Sequence, residues 1–298
     1  MRQRVFRIIS GGGIGDAILT TPSFRALKER CPGCKVMVYC LSKDHMEVYK
    51  NNPYIDSLKL ARFSSAPVQY IKHYLKRQAL CRNDYGTFSP SLHPIGHAVD
   101  IIAEMLGASL GEKNVQIFLT EEEEEQAKTI LSRYQNAVAM HITPNWTANK
   151  SWPMSNWIEL VESTPKVTFM QFGLAKEPLI PGAVDLRGKV SLREAFAIIK
   201  YCRGFVGVES VFAHAAAAFG VPGVVLFGPS SPAVWGHRNN INLYKNLQCS
   251  PCTDILKQCA CPYEKPCMTS ISVSEVSEAL KNQMSFDGKS KLYSMKIT

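Results

Sequence analysis

Apolar residues in this chain alternate between short unbroken runs and stretches in which they recur every three or four positions, which predicts strands separated by helices. The clearest example runs from Gly188 to Pro229. Ser191 with Glu194 makes a capping box, and Leu192, Ala195, Phe196 and Ile199 form the apolar face of the helix that follows. Phe205–Val208 and Val224–Phe227 are uniformly apolar and too short for helices, so they predict buried strands. Between them, Glu209 and Ser210 open a small-residue helix over Ala213–Ala218 that Gly220 and Pro222 close. Two strand-to-loop transitions side by side, at Glu209–Ser210 and Gly228–Pro229, make the kind of place where open α/β sheets take ligands. Free N–H groups at the start of that helix suit a phosphate.

The same alternation extends along the chain. A strand over Arg4–Ile9 runs into Gly11-Gly12-Gly13-Ile14-Gly15-Asp16, then a helix through Arg30 with a kink or reset at Pro22, and a second strand over Lys35–Leu41. Ala98–Leu106 predicts an apolar helix, Val115–Leu119 a strand, and Thr120 the cap of a helix whose acidic first turn, Glu121–Glu125, complements the helix dipole. Ala137–Ile142 and Val167–Phe172 predict strands and Ser272–Gln283 a last helix. The fold class is therefore α/β, with two Rossmann-like domains over residues 1–135 and 136–284 and a Lys-rich tail over 285–298.

Length and composition leave this reading intact. The chain has 298 residues, 46% hydrophobic and 20% charged, as in ordinary globular domains. No apolar run reaches the roughly 18 residues of a membrane span, and the apolar stretch at the N-terminus is too short for a signal peptide, so a cytoplasmic location is expected. A formal charge of +9 favours anionic partners. Lys72, His73, Lys76, Arg77 and Arg82, with Tyr70 and Tyr74 between them, read either as a solvated helix face or as a contact for an anionic acceptor or a membrane surface. His93 and His97 lie in a loop that also offers itself to an acceptor or to solvent.

Several residues carry candidate chemistry. The first βα unit invites a dinucleotide reading, but Asp16 occupies the place of the third glycine and strand two ends without an acidic residue, so the mechanics of that motif are missing. Asp16 reads as a general base at the loop's mouth or as a cap of the first helix. His214, inside an alanine-rich helix, is either a phosphate contact or a satisfied core residue. Of ten cysteines, Cys249, Cys252, Cys259, Cys261 and Cys267 crowd into one segment. Their C-x-x-C spacing suits a structural iron or zinc site; a redox-labile or disulfide-linked loop without metal is the alternative.

These motifs together resemble glycosyltransferase family 9, the bacterial heptosyltransferases. The resemblance rests on Glu209-Ser210-Val211-Phe212-Ala213-His214, Gly220-Val221-Pro222, Phe227-Gly228-Pro229, Gly13-Ile14-Gly15-Asp16, Lys150-Ser151-Trp152-Pro153 and the cysteine segment. It implies the GT-B arrangement, two Rossmann-like domains facing across a cleft, the first binding an acceptor and the second a nucleotide-sugar. Asp16 is then the base and Lys150 the group that meets charge on the leaving diphosphate. Thr143, Glu177, Glu209, Ser210, His214, Gly228 and Pro229 match donor-binding positions, and Gly13 and Gly15 let an acceptor approach the backbone. The implied reaction is inverting transfer of a sugar, heptose from ADP-heptose, to a hydroxyl on a cell-surface glycan precursor, lipid-linked or protein acceptor, at the inner face of the membrane and without nucleic acid. Because the sequence has no Asp-x-Asp, transfer is expected to need no metal. The chain departs from the family at two positions, with Glu209 in place of Asp and Val211 in place of Gly. The alternative these departures raise is a metal-containing, catalytically inactive scaffold that still binds nucleotide.

Overall fold

The computed structural model of the protein describes residues 3–61, 96–144, 147–252 and 260–284. The basic stretch around Lys72, His93, Cys259 and the tail lie outside the described residues. Two parallel sheets are present. The first holds β1 (Val5–Ser10), β2 (Lys35–Cys40) and β3 (Ser57–Leu60), side by side in that order. Its crossovers are α1 (Ile14–Arg30) and α2 (Lys43–Tyr49). α1 runs unbroken through Pro22. Proline has no N–H for the carbonyl of Ile18, and the Thr21 hydroxyl donates to that carbonyl instead at 2.7 Å, so the helix continues past Pro22 without a reset.

α3 (Ala98–Met105) packs on α1 and is followed by the extended segment 115–119. That segment joins neither sheet, contrary to the strand expected there. Val115 and Ile117 are buried, but the Gln116 N–H donates to the Thr21 hydroxyl and the Phe118 carbonyl accepts from Arg193, both at 2.8 Å. The apolar residues here record half-burial of a strap rather than strand pairing. Next come α4 (Glu121–Leu131), with Thr120 and Glu123 in a capping box, and the second sheet.

That sheet contains β4 (Ala137–His141), β5 (Thr168–Gln171), β6 (Val184–Asp185), β7 (Gly204–Val208), β8 (Gly223–Phe227) and β9 (Asn240–Tyr244) in the order β6-β5-β4-β7-β8-β9, all parallel. The chain winds outward from β4 in one direction, then returns to wind outward from β7 in the other. The connections carry α5 (Met154–Ser163), α6 (Leu192–Tyr201), α7 (Val211–Ala218) and α8 (Pro232–Trp235); α9 (Pro266–Thr269) and α10 (Val273–Met284) follow β9. Strand residues alternate between two cores, so both faces are covered. Val138, Met140, Val206, Val224 and Leu226 pack with Trp157 and α10 on one face; Ala139, Phe205, Val225 and Phe227 pack toward α6 and α7 on the other, in a core that continues through α1 into the first sheet.

The acidic first turn of α4 does more than complement a dipole. Arg193 of α6 is buried, paired with both oxygens of Glu123, and donates to the Glu47 and Phe118 carbonyls at 2.8 Å each. Beside it Lys200 and the Tyr201 hydroxyl engage Glu124. One guanidinium thus ties α2, the strap and α4 to the second sheet's layer of helices. Hydrogen bonds from Arg193, against the cost of burial, hold the Glu123 carboxyl at about 2 rather than 4.5. A depressed carboxyl contributes stability above its unfolded value and loses it as pH falls through the folded one. Denaturant titrations are therefore expected to show a loss of stability from pH 4.5 toward 2 that is smaller in Arg193→Met, a variant expected to be less stable than wild type by about 3 kcal/mol at pH 7.

Candidate active site

The topological switch lies between β4 and β7, and the loops leaving those strands carry the main charged pair. After β4 come Thr143, half-buried, and a single 3₁₀ turn, Ala148–Lys150, capped by Thr147, whose hydroxyl accepts the Asn149 N–H at 3.2 Å. The turn delivers Lys150 into a buried position, where its ammonium pairs with Glu209 just past β7. The two side chains are only 10% and 9% exposed. Burial opposes the Glu209 charge, but Lys150 and then His214 more than offset it and hold the carboxyl well below the usual range. His214 Nε2 stands 3.7 Å from the other Glu209 oxygen.

Ser210 occupies the N-cap of α7 without capping it by its side chain. Its hydroxyl is instead shared with His141 Nδ1 at 2.9 Å. His141 is buried, edge-on to Phe212 at 4.8 Å, and burial lowers its imidazole to about 4, so it is neutral. On its far side, Nε2 is 4.0 Å from Glu177 Oε2. Glu177 follows β5, is buried, and leaves that oxygen without a hydrogen-bond partner. A Cβ on Gly173, at φ 144°, would stand 2.0 Å from the same oxygen, so only glycine leaves room for the carboxylate. A buried orphan acceptor beside the switch point is an atom that a bound hydroxyl or amino group would satisfy.

The loop after β1 faces this pair from the first sheet. Gly13 caps α1, and its N–H donates to Asp16 Oδ2 at 2.7 Å, so the Asp16 carboxylate closes the helix start while standing half-buried at the loop's mouth. Gly15 lies directly on α7: a Cβ there would come 2.9 Å from His214 Cδ2. That contact brings the Asp16 loop to the Lys150–Glu209 pair through one imidazole. Gly15→Ala is expected to cost about 1–3 kcal/mol of stability, read from denaturant midpoints, because the His214 ring is held from behind and has nowhere to go.

What holds it is a histidine outside every motif. His214 Nδ1 and His237 Nε2 are 2.7 Å apart. His97, read from the sequence as a loop residue for acceptor or solvent, is the N-cap of α3: its Nδ1 accepts the Val99 N–H at 3.2 Å. Its Nε2 therefore carries the proton and donates to the Gly236 carbonyl at 2.7 Å, joining the two halves. His237 sits between these imidazoles, and burial, then His214 and His97, push it far below the usual histidine range.

Gly228 and Pro229 are buried, and their carbonyls are taken by the cysteine segment, Gly228 by the Ser250 hydroxyl and Pro229 by the Cys252 N–H at 2.8 Å. The Cys261 N–H donates to Asn149 Oδ1 at 3.1 Å, next to Lys150. The thiols of Cys249, Cys252, Cys261 and Cys267 act on one another electrostatically; burial and these neighbours push Cys252 and Cys267 up to about 11. All eight described cysteines are free thiols. No three or more His, Cys, Asp or Glu side chains among the described residues are disposed to hold a metal ion.

Two Rossmann-like domains facing each other, with charged residues gathered at the switch point of the second, define the GT-B class of glycosyltransferase folds. The profile of Glycosyltransferase family 9 (heptosyltransferase) matches residues 60–262, and the chain belongs to that family. Lipopolysaccharide heptosyltransferase 1 of Pseudomonas aeruginosa is 31% identical over 115 residues, 35% of this chain and 32% of that protein, so the match spans about a third of the curated relative. The family 9 glycosyltransferase of Veillonella parvula superposes with a TM-score of 0.70 at 18% identity, over 95% of this chain and 97% of that one. The iron-containing dodecameric glycosyltransferase TibC of enterotoxigenic E. coli gives 0.64 at 15%, over 94% and 76%. No helix among the described residues is long and apolar enough to cross a membrane.

Proposed function

We propose that the protein is an inverting glycosyltransferase that moves heptose from ADP-heptose to a hydroxyl of a cell-surface glycan precursor or protein. The observation that carries this reading is the buried Lys150–Glu209 pair at the switch point, set against the Asp16 loop through Gly15 and His214. Asp16 takes the proton of the acceptor hydroxyl as that oxygen attacks the anomeric carbon; the bond to the diphosphate breaks on the opposite face, and configuration inverts. Lys150, Thr143 and the uncapped start of α7 meet the charge that grows on the departing diphosphate, an effect worth most where water is excluded. Glu177, with its orphaned oxygen, receives the nucleoside's hydroxyl or amino groups. ADP-heptose is chosen because the family is that of heptosyltransferases and TibC, which shares the fold, has been captured with ADP-D-beta-D-heptose.

The test is incubation with ADP-heptose and heptose-deficient lipopolysaccharide, following ADP release and the anomeric configuration of the product. Inverted product supports the reading, and no ADP release above a protein-free control with lipid-linked or protein acceptors refutes it.

For the cysteine segment we propose a structural iron or zinc site. Its support is the C-x-x-C spacing and the mutual electrostatic influence of Cys249, Cys252, Cys261 and Cys267, with Cys259, outside the described residues, as the fifth candidate ligand; no step of transfer passes through it. Elemental analysis of anaerobically purified protein tests it: about one metal per chain, lost in Cys252→Ser, is expected, and metal-free folded protein would refute it.

A further inference from the structure

Lys150 has two claimants. In the structure its ammonium neutralises Glu209, whereas the function proposed above, on which this inference rests, gives it to the donor's diphosphate. The two demands conflict because Glu209 is buried and a buried carboxylate without a cation is costly. If Lys150 leaves Glu209 for the donor, the side chain in position to replace it is His214, with Nε2 facing the second Glu209 oxygen at 3.7 Å.

The surroundings leave one place for a new positive charge. Around Glu209 stand Lys150 from the 3₁₀ turn and His214 from α7; around His214 stand Glu209, His237 beyond α8, and Gly15 with neighbouring Asp16 from α1. His237 meets His97 from the start of α3, which in turn sees Asp100 and Lys113. Behind Ser210 lie His141 and Glu177. His141 is neutral, and burial lowers both His97 and His237. A neutral His237 with Nε2 at 2.7 Å is ready to accept a hydrogen bond from a protonated His214.

We propose that donor binding is coupled to the uptake of a proton: as Lys150 turns from Glu209 to the diphosphate, His214 takes a proton from solvent, pairs with Glu209 through Nε2, and donates through Nδ1 to His237. The proton replaces the cation that Glu209 gives up, so the buried cluster stays compensated while the anion enters.

The experiment is calorimetric titration of the full chain with ADP-heptose, a diphosphate diester with no proton of its own to exchange near neutral pH, at about pH 8 in two buffers of different ionisation enthalpy. The expected result is uptake approaching one proton per donor bound, with affinity falling as pH rises by up to about tenfold per pH unit. Glu209→Gln, which removes the carboxylate that needs a counter-charge, is expected to bind the donor without taking up a proton. His214→Gln, which removes the proton's place, is expected to lose the uptake and bind more weakly. Equal apparent heats in the two buffers for the wild type, or unchanged uptake in Glu209→Gln or His214→Gln, overturn the proposal while leaving donor binding intact. No binding of ADP-heptose at all overturns the functional reading, and the proton coupling with it.

Discussion

Replacing Lys150 with alanine is expected to lower heptosyl transfer by roughly 10²–10³-fold, the scale on which buried charge stabilisation of a leaving group acts. The variant should also bind ADP-heptose more weakly, because the same ammonium meets the diphosphate in the bound state. Removing Lys150 strips Glu209 of its cation, so a loss of fold must be told apart from a loss of chemistry. The double variant Lys150→Ala/Glu209→Gln separates them: it leaves no uncompensated charge, should melt closer to wild type than Lys150→Ala, and should remain as inactive. Recovery of transfer in the double variant would mean that other groups carry the leaving charge.

Asp16→Asn is the second large expectation, a fall in turnover of about 10²–10⁴-fold with ADP-heptose affinity within a few fold of wild type. Asparagine is the informative substitution because Asp16 has two candidate tasks. Its carboxylate accepts the Gly13 N–H and so caps α1, and an amide oxygen accepts the same hydrogen bond. The cap therefore survives and only the base is removed. Steady-state rates and donor titrations on one preparation check it; near-normal turnover would leave Asp16 with capping alone.

How much of this was legible beforehand follows from which forces are local. The capping box at Ser191–Glu194 and the Thr120 cap form as expected, since each needs only residues close in sequence. The buried strands β7 and β8 were plain for a similar reason: in a parallel sheet covered on both faces, burial makes the whole run apolar. The strap at Val115–Leu119 misled because a short apolar run reports burial, and burial does not require a strand partner. In the site, motif residues such as Lys150, Glu209 and His214 were visible as types, but their pairing was not, because it depends on residues 59 apart meeting at the switch point. His141 had a local signal, one polar residue ending an apolar strand, which marks a buried group in need of a partner. His237 and His97 had none: His237 meets His214, 23 positions away, only through the folding of the loops around the second sheet, and His97 reaches the Gly236 carbonyl, 139 positions away, only when the two halves come together. Likewise the acidic turn of α4 fits the dipole argument, and nothing local reveals that Glu123 and Glu124 also grip α6.

The central claim is that the Lys150 pocket at the β4–β7 switch is the binding site of an ADP-activated sugar. Calorimetric titration of wild type and Lys150→Ala with ADP-heptose and a UDP-sugar, side by side, tests it most directly. The account predicts micromolar binding of ADP-heptose to the wild type, and much weaker binding both of the UDP-sugar to the wild type and of ADP-heptose to Lys150→Ala. Absence of binding to the folded wild type, or ADP-heptose affinity unchanged by Lys150→Ala, would contradict it.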